Sequence, residues 1–222
     1  AWSDHTRVGA RQRAQAALSK PRQKNAWLQI IRSKILGQAA TLSLVDDLAA
    51  DHLRELASRV RSGDHGNHEA AAARWYWRFL FSDRGFTRDQ DGNDNTNALL
   101  NYGYGILRGL GIRSAAGAGL APALGVFHSN RSNPFNLVED LIEPFRPVVD
   151  ARVFALPADA SLEHPSVKQS LVATVQPFDE SGLSVGAALD DLAQQFGRYA
   201  EGDVSRLSVR VWDPAFGTFG ES

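Results

Sequence analysis

The chain has no cysteine among its 222 residues. Disulfides, thiolate metal sites and a cysteine nucleophile are therefore excluded, and the composition fits a reducing, cytoplasmic location. It has no methionine either. The absence of an initiator leads to the expectation of a fragment, a processed chain or a numbering that begins late. No run approaches the ~18 consecutive apolar residues of a membrane span, so no membrane partner is expected. No signal peptide is expected from the opening residues. A convincing β-hairpin signal and an internal repeat are also missing.

What is present is ordinary globular material, 43% hydrophobic and 22% charged, enough for one large domain or two small ones. The net charge of −1 conceals a segregation. Residues 1–40 hold eight bases against the single acid Asp4, whereas residues 176–222 hold eight acids against three arginines. A basic stretch beside an acidic one suits a polyanion partner, and equally two solvated helix faces.

A composition rich in alanine, glutamine and arginine predicts a helix over 9–19, and apolar spacings of three and four predict helices over 22–45, 46–60 and 69–81. Residues 83–95 carry loop chemistry. A long helix follows over 97–116, despite Gly103, Gly105, Gly109 and Gly111, which lower its intrinsic propensity; close packing against it is the expected compensation. Residues 123–128 form a short apolar run that could be extended. Asn133-Pro134 is expected to cap and open a helix over 134–146. Closing helices are expected at 166–175 and 185–199. The fold class is therefore all-α, with at most one short strand. Residues 1–20 read as a linker and first helix, 21–203 as a helical catalytic domain, and 204–222 as a poorly ordered tail.

Wound as a helix, residues 134–146 place Phe135, Val138, Leu141, Ile142 and Phe145 on one face and Asn136, Glu139, Asp140, Glu143 and Arg146 on the other. Like charges three or four apart cost a helix about 0.2–0.5 kcal/mol per pair, a repulsion that a bound cation removes. Pro144 deletes a hydrogen bond and is expected to kink this turn. The stripe is either a cation site or an acidic solvent face that ends at a proline. Glu69 starts a helix whose face carries Ala72, Ala73, Tyr76 and Leu80; it is either paired there or placed by the helix dipole. His128 follows an apolar run and is either a satisfied core residue or a site residue. His65 and His68 lack a third ligand at zinc-like spacing. One histidine with several carboxylates suits Mg²⁺ or Mn²⁺ better than zinc, and such an ion beside basic residues suits phosphodiester chemistry.

Several strings resemble one family, the CRISPR-associated integrase Cas one, most of all its type II branch. They are Asn97-Ala-Leu-Leu-Asn-Tyr-Gly-Tyr-Gly-Ile-Leu-Arg108, Gly119-Leu-Ala-Pro-Ala-Leu-Gly-Val-Phe-His128 and Leu137-Val-Glu-Asp-Leu-Ile-Glu-Pro-Phe-Arg-Pro147. Arg61-Ser-Gly-Asp64, Glu69-Ala-Ala-Ala-Ala-Arg-Trp-Tyr-Trp77 and Trp27-Leu-Gln-Ile-Ile-Arg-Ser-Lys-Ile-Leu-Gly-Gln-Ala39 agree with them, in order, over roughly residues 5–200. The resemblance implies the helical C-terminal domain of that family, with its N-terminal β domain expected to be absent from this chain. It implies catalytic metal ligands at Glu69, His128 and Glu143, with Asp140 as a further acid of the metal site and Glu139 less securely placed. It further implies joining of the 3′-hydroxyl ends of captured double-stranded DNA to a CRISPR repeat by transesterification.

Arg131 and Arg146, beside these ligands, are the first candidates for DNA contacts; Arg59, Arg61, Lys24, Arg32 and Lys34 follow. Asn101 and Tyr102 are candidates to support the site. The implied partners are DNA, a second copy in the full-length protein, Cas two and, through the type II likeness, Cas nine. Two other readings stand beside this one: a catalytically silent DNA-binding scaffold of the same fold, and an unrelated metal-dependent nuclease.

Overall fold

The computed structural model describes residues 8–63, 66–92, 94–172 and 177–216. Their regular structure is helical: α1 (Val8–Ala16), α2 (Lys20–Leu42), α3 (Asp47–Arg59), α4 (His68–Leu80), α5 (Asn95–Gly117), α6 (Asn136–Ile142), α7 (Arg146–Ala155), α8 (Pro165–Val172) and α9 (Val185–Glu201). The one β feature among the described residues is an isolated antiparallel bridge between Pro177 and Ser184. No described helix is long and apolar enough to cross a membrane.

Local chemistry sets most boundaries. Asp46 accepts the Ala49 amide at the start of α3, Asp94 the Asn97 amide at α5 and Ser184 the Ala187 amide at α9. Gly202, at φ +89°, ends α9 in the left-handed conformation that glycine adopts without steric cost. Asn133-Pro134 does not cap a helix as expected. Asn133 Oδ1 accepts the amide of Phe135 in a local turn, and α6 begins only at Asn136. The expected single helix over 134–146 is also broken. Pro144 sits in a 3₁₀ turn, Glu143–Phe145, and the chain then continues as α7. Residues 123–128 form turns and bends instead of a strand. Leu48, an apolar residue of α3, is 83% exposed.

Two 23-residue helices organise the core. α2 packs on α3, α4, α7 and the 3₁₀ turn, while α5 packs on α6, α7, α8 and α9, so the α6–α7 segment touches both. The close approach anticipated for α5 occurs at two of its glycines. A β-carbon at Gly103 would collide with the Val149 methyls, and one at Gly111 would lie 2.8 Å from Val138 Cγ1 and 2.9 Å from Ile142 Cγ2. Gly105 and Gly109 face open space and contribute no packing of this kind.

The C-terminal stretch corrects another expectation. Residues 204–216, read as a poorly ordered tail, fold back onto α2. Trp212 is 1% exposed, its indole N–H donates to Thr41 Oγ1 at 3.2 Å, and its ring lies 5.9 Å from Phe178. A large aromatic with a satisfied N–H contributes roughly 3–5 kcal/mol at such a position, enough to order a short segment. The segregated charges also meet in part: Arg11 of α1 pairs with Glu201 of α9 at 3.0 Å, and Arg22 donates to the Tyr199 carbonyl. These two arginines serve the fold, which weakens the charge argument for a polyanion partner on that face.

Candidate active site

Glu143 opens the 3₁₀ turn that Pro144 imposes. The turn tilts the carboxylate inward, and the residue is 5% exposed. Asp140, one turn earlier, is fully buried. The acidic stripe is therefore not a solvent face. Burying two carboxylates costs several kcal/mol each unless partners compensate, so the partners define the site.

Those of Glu143 are cations. Arg146 Nε lies 2.9 Å from Oε1, and Lys34 Nζ, reaching across from α2, lies 2.7 Å from Oε2. Burial by itself would raise the Glu143 carboxyl; Arg146 and Lys34 outweigh it and hold the group at about 2. The same ammonium is 3.0 Å from Glu69 Oε1, in the first turn of α4. Burial opposes the charge on Lys34, but the two glutamates raise its proton affinity above the usual lysine value. Two acids distant in sequence thus share one cationic atom.

Asp140 is placed differently from the ligand role expected of it. Its Oδ2 accepts the amides of Val126, at 2.5 Å, and Phe127, at 3.0 Å; its Oδ1 accepts the amide of His128, at 3.3 Å, and binds His128 Nδ1 at 2.6 Å. With both oxygens committed, Asp140 orients the histidine and folds the preceding loop. The hydrogen bond to Asp140 raises the His128 imidazole above its ordinary value, against the effect of burial. The fixed Nδ1 leaves Nε2 as the free ring nitrogen. Trp27 of α2 further positions this corner, with Phe127 stacked on it at 4.4 Å and the His128 ring edge-on at 5.8 Å.

Glu69, His128, Glu143, Glu139, Lys34 and Arg146 all line one cavity of about 530 Å³, together with Trp27, Arg88, Tyr104 and Asp150. Glu139 is held by Arg108 at 2.9 Å and Arg146 at 3.5 Å, which makes it a brace for the arginines. Among the described residues, no three His, Asp or Glu side chains are drawn together into a ready ligand cluster. Two of the expected ligands are joined through an ammonium and the third shares their cavity. Hard carboxylate oxygens from Glu69 and Glu143 and an oriented imidazole on one cavity fit an oxygen-preferring divalent ion.

Other expected residues lie elsewhere. Arg131 is exposed in a neighbouring depression that His128 also borders. Arg59 is exposed and pairs with Glu55; Arg61, also exposed, donates to the Ser58 carbonyl. Lys24 and Arg32 do not line the cavity, and Lys24 is exposed. Asn101 serves the loop after α4, accepting from Arg88 at 2.7 Å and donating to the Gln90 carbonyl. Tyr102 packs at the margin of the core. His65 lies outside the described residues.

Tyr104 and Asp150 were missed. Tyr104 and Tyr76 both donate to the buried Asp150 carboxylate, and Arg146 lies over the Tyr104 ring at 4.6 Å. The signal was available: Tyr104 falls three and four residues from Leu107 and Leu100, both buried, so it shares their inward face. Burial pushes the Asp150 carboxyl up to about 7, and the tyrosine hydrogen bonds only partly oppose it. Between roughly pH 4 and 7 the folded protein keeps a proton that the unfolded chain has lost, so this group makes stability fall as pH rises through that window. Asp150→Asn should remove that slope. From pH 5 to pH 8 the variant is expected to gain about 2–4 kcal/mol relative to the parent in urea unfolding. An identical pH slope in both proteins would refute the assignment.

Comparison with known proteins gives a consistent result. A family model described as CRISPR associated protein Cas1 matches residues 1–172. The CRISPR-associated endonuclease Cas1 of Neisseria meningitidis serogroup C (strain 8013) is 42% identical over 189 residues, covering 82% of this chain and 61% of that protein. A CRISPR-associated endonuclease Cas1 of Pyrobaculum aerophilum is 38% identical over 143 residues, covering 62% of this chain and 48% of that protein. The chain thus spans about half to three fifths of the length of these curated relatives. Among solved structures, a casposase bound to integration product aligns with TM-score 0.72 at 20% identity, over 89% of this chain and 66% of that one. A partial Cas6-RT-Cas1–Cas2 complex aligns with TM-score 0.74 at 19% identity, over 90% of this chain and 72% of that one. At these identities the structural matches establish the fold.

Proposed function

The chain belongs to the CRISPR associated protein Cas1 family, and on that premise we propose that it carries the catalytic centre of a metal-dependent DNA integrase. The observation that supports this most is the sharing of one cationic atom by Glu69 and Glu143, beside a histidine whose ring is fixed by a buried aspartate. A purely structural core has little use for three buried or half-buried ionisable groups around an accessible cavity, whereas phosphoryl chemistry needs them.

In this reading Glu69, Glu143 and His128 would hold Mg²⁺ or Mn²⁺, with Asp140 fixing the imidazole from behind. Such an ion would supply positive charge to the phosphate oxygens as negative charge develops in the transition state. The 3′-hydroxyl of a captured fragment attacks a phosphodiester of the CRISPR repeat. One phosphorus–oxygen bond forms and one breaks, so no external energy source and no covalent enzyme intermediate is needed. Arg146 and Arg88, which line the cavity, and Arg131, on the adjoining surface, contact backbone phosphates. A second copy and Cas2 complete the assembly, in line with the Cas1–Cas2 complex among the aligned structures, and Cas9 is a further partner. A second reading, hydrolytic cleavage without joining, is favoured by the name endonuclease that the relatives bear.

The test combines the full natural protein, Cas2, a short duplex and a plasmid with CRISPR repeats in Mn²⁺. Joined product is expected, reduced by about 10²-fold or more in His128→Ala. Undiminished joining in that variant would remove the site assignment. Cleaved DNA without joined product would favour the second reading.

A further inference from the structure

The contact of Lys34 with both glutamates carries a consequence beyond the ligand set. Lys34 rises from the middle of the buried helix α2, and its side chain is only 13% exposed, so the ammonium has been placed in the cavity at a desolvation cost. It stands between two carboxylates that would otherwise repel each other across a medium of low polarity. Nζ lies 3.0 Å from Glu69 Oε1 and 2.7 Å from Glu143 Oε2, so one small cationic group already fills the gap between two carboxylate oxygens from separate elements, the place that a divalent ion would take between them.

Building on the proposed metal site, we infer that Lys34 is an internal counter-cation, occupying the position between Glu69 and Glu143 until a divalent ion takes its place. Before metal arrives the ammonium offsets the charge of the two carboxylates and holds them facing each other. When the ion enters, Nζ must withdraw, and the cavity it withdraws into is the one proposed for the DNA phosphate. The lysine is a positioning residue in the first state, and it sets the threshold concentration at which metal binds.

Direct Mn²⁺ binding, followed by the electron paramagnetic resonance signal of free Mn²⁺ without DNA, separates this from a structural ion pair. Lys34→Met, which keeps the volume of the stem, is expected to bind Mn²⁺ at least about tenfold more tightly, because no ammonium competes. Its thermal midpoint without metal should fall and Mn²⁺ should restore it. Lys34→Arg, whose fork can hold carboxylates with directed bonds, is expected to bind Mn²⁺ several-fold more weakly than the parent. Equal or weaker binding in Lys34→Met would overturn the inference. If Lys34→Met does not fold, Lys34→Arg decides, since a merely structural lysine predicts parental affinity there. Glu143→Gln is the control for the underlying site. If neither the parent nor Lys34→Met binds Mn²⁺, the metal reading itself fails. If the parent binds, Glu143→Gln abolishes it and Lys34→Met changes nothing, only the role of Lys34 fails.

Discussion

Glu143→Ala is expected to abolish DNA joining and to destabilise the fold at neutral pH by about 3 kcal/mol, the lower end of the cost of breaking a buried ion pair. The side chain is buried between Arg146 and Lys34, so its removal leaves two positive charges facing each other. The loss stays near the lower limit because Lys34 keeps Glu69 and Arg146 keeps Glu139. In a chain of this length, 3 kcal/mol lowers the thermal midpoint by roughly 6–12 °C. Glu143→Gln separates the two effects, because it retains the shape while losing the charge. The depressed carboxyl contributes stability that is present above its unfolded value near 4.5 and lost as pH falls towards 2. The deficit of Glu143→Gln in urea unfolding should therefore be full at pH 7 and small near pH 2. Parental joining by Glu143→Ala would remove the residue from the catalytic centre.

Asp140→Ala is expected to cost still more stability. Three backbone amides and the His128 ring use this carboxylate. Each buried amide left without an acceptor costs about 1–3 kcal/mol, so roughly 4 kcal/mol is expected even after partial relaxation. Hydrogen exchange should show the amides of Val126, Phe127 and His128 losing protection while those of α5 remain protected. Asp140→Asn keeps the size of the side chain but loses the charge that stabilises a protonated imidazole. The partner of His128 raises its proton affinity, so the pair's contribution is complete below the unfolded histidine value and fades as pH rises through the folded one. The stability deficit of Asp140→Asn should accordingly be larger at pH 5.5 than at pH 8. Joining should fall about 10–100-fold, the usual consequence of losing the group that orients a metal-binding histidine. Unchanged joining by Asp140→Asn would show that the orientation of His128 is not part of the chemistry.

Elements governed by local chemistry were readable in the sequence. Asp46, Asp94 and Ser184 sit where they can accept a free amide three residues on, and Pro144 breaks a helix wherever it falls. Asn133-Pro134 misled because the same residue types that cap helices also make tight turns, and only the surroundings choose between them. The tail was misread because its apolar residues, Leu207, Val209, Val211 and Trp212, form too short a run to commit to an element; Leu207 and Trp212 are buried by what the rest of the fold offers them, which is a tertiary property. The site divides in the same way. Acid spacing favoured a solvent face over a cation site, and the family resemblance singled out Glu69, His128 and Glu143. Lys34 was grouped with a basic run, because sequence cannot show that one lysine of that run points between two glutamates from other helices. Asp140 was grouped with the ligands, since acids at neighbouring positions look alike until the amides of residues 126–128 are seen to claim one of them.

A crystal of the protein soaked in Mn²⁺, with data collected at the manganese absorption edge, tests the central claim most directly. The account predicts one anomalous peak in the cavity, about 2.1 Å from carboxylate oxygens of both Glu69 and Glu143 and close to His128 Nε2, with Lys34 Nζ displaced. A peak bound by other residues, or saturating Mn²⁺ that leaves Lys34 bridging the two glutamates with no peak between them, would contradict it.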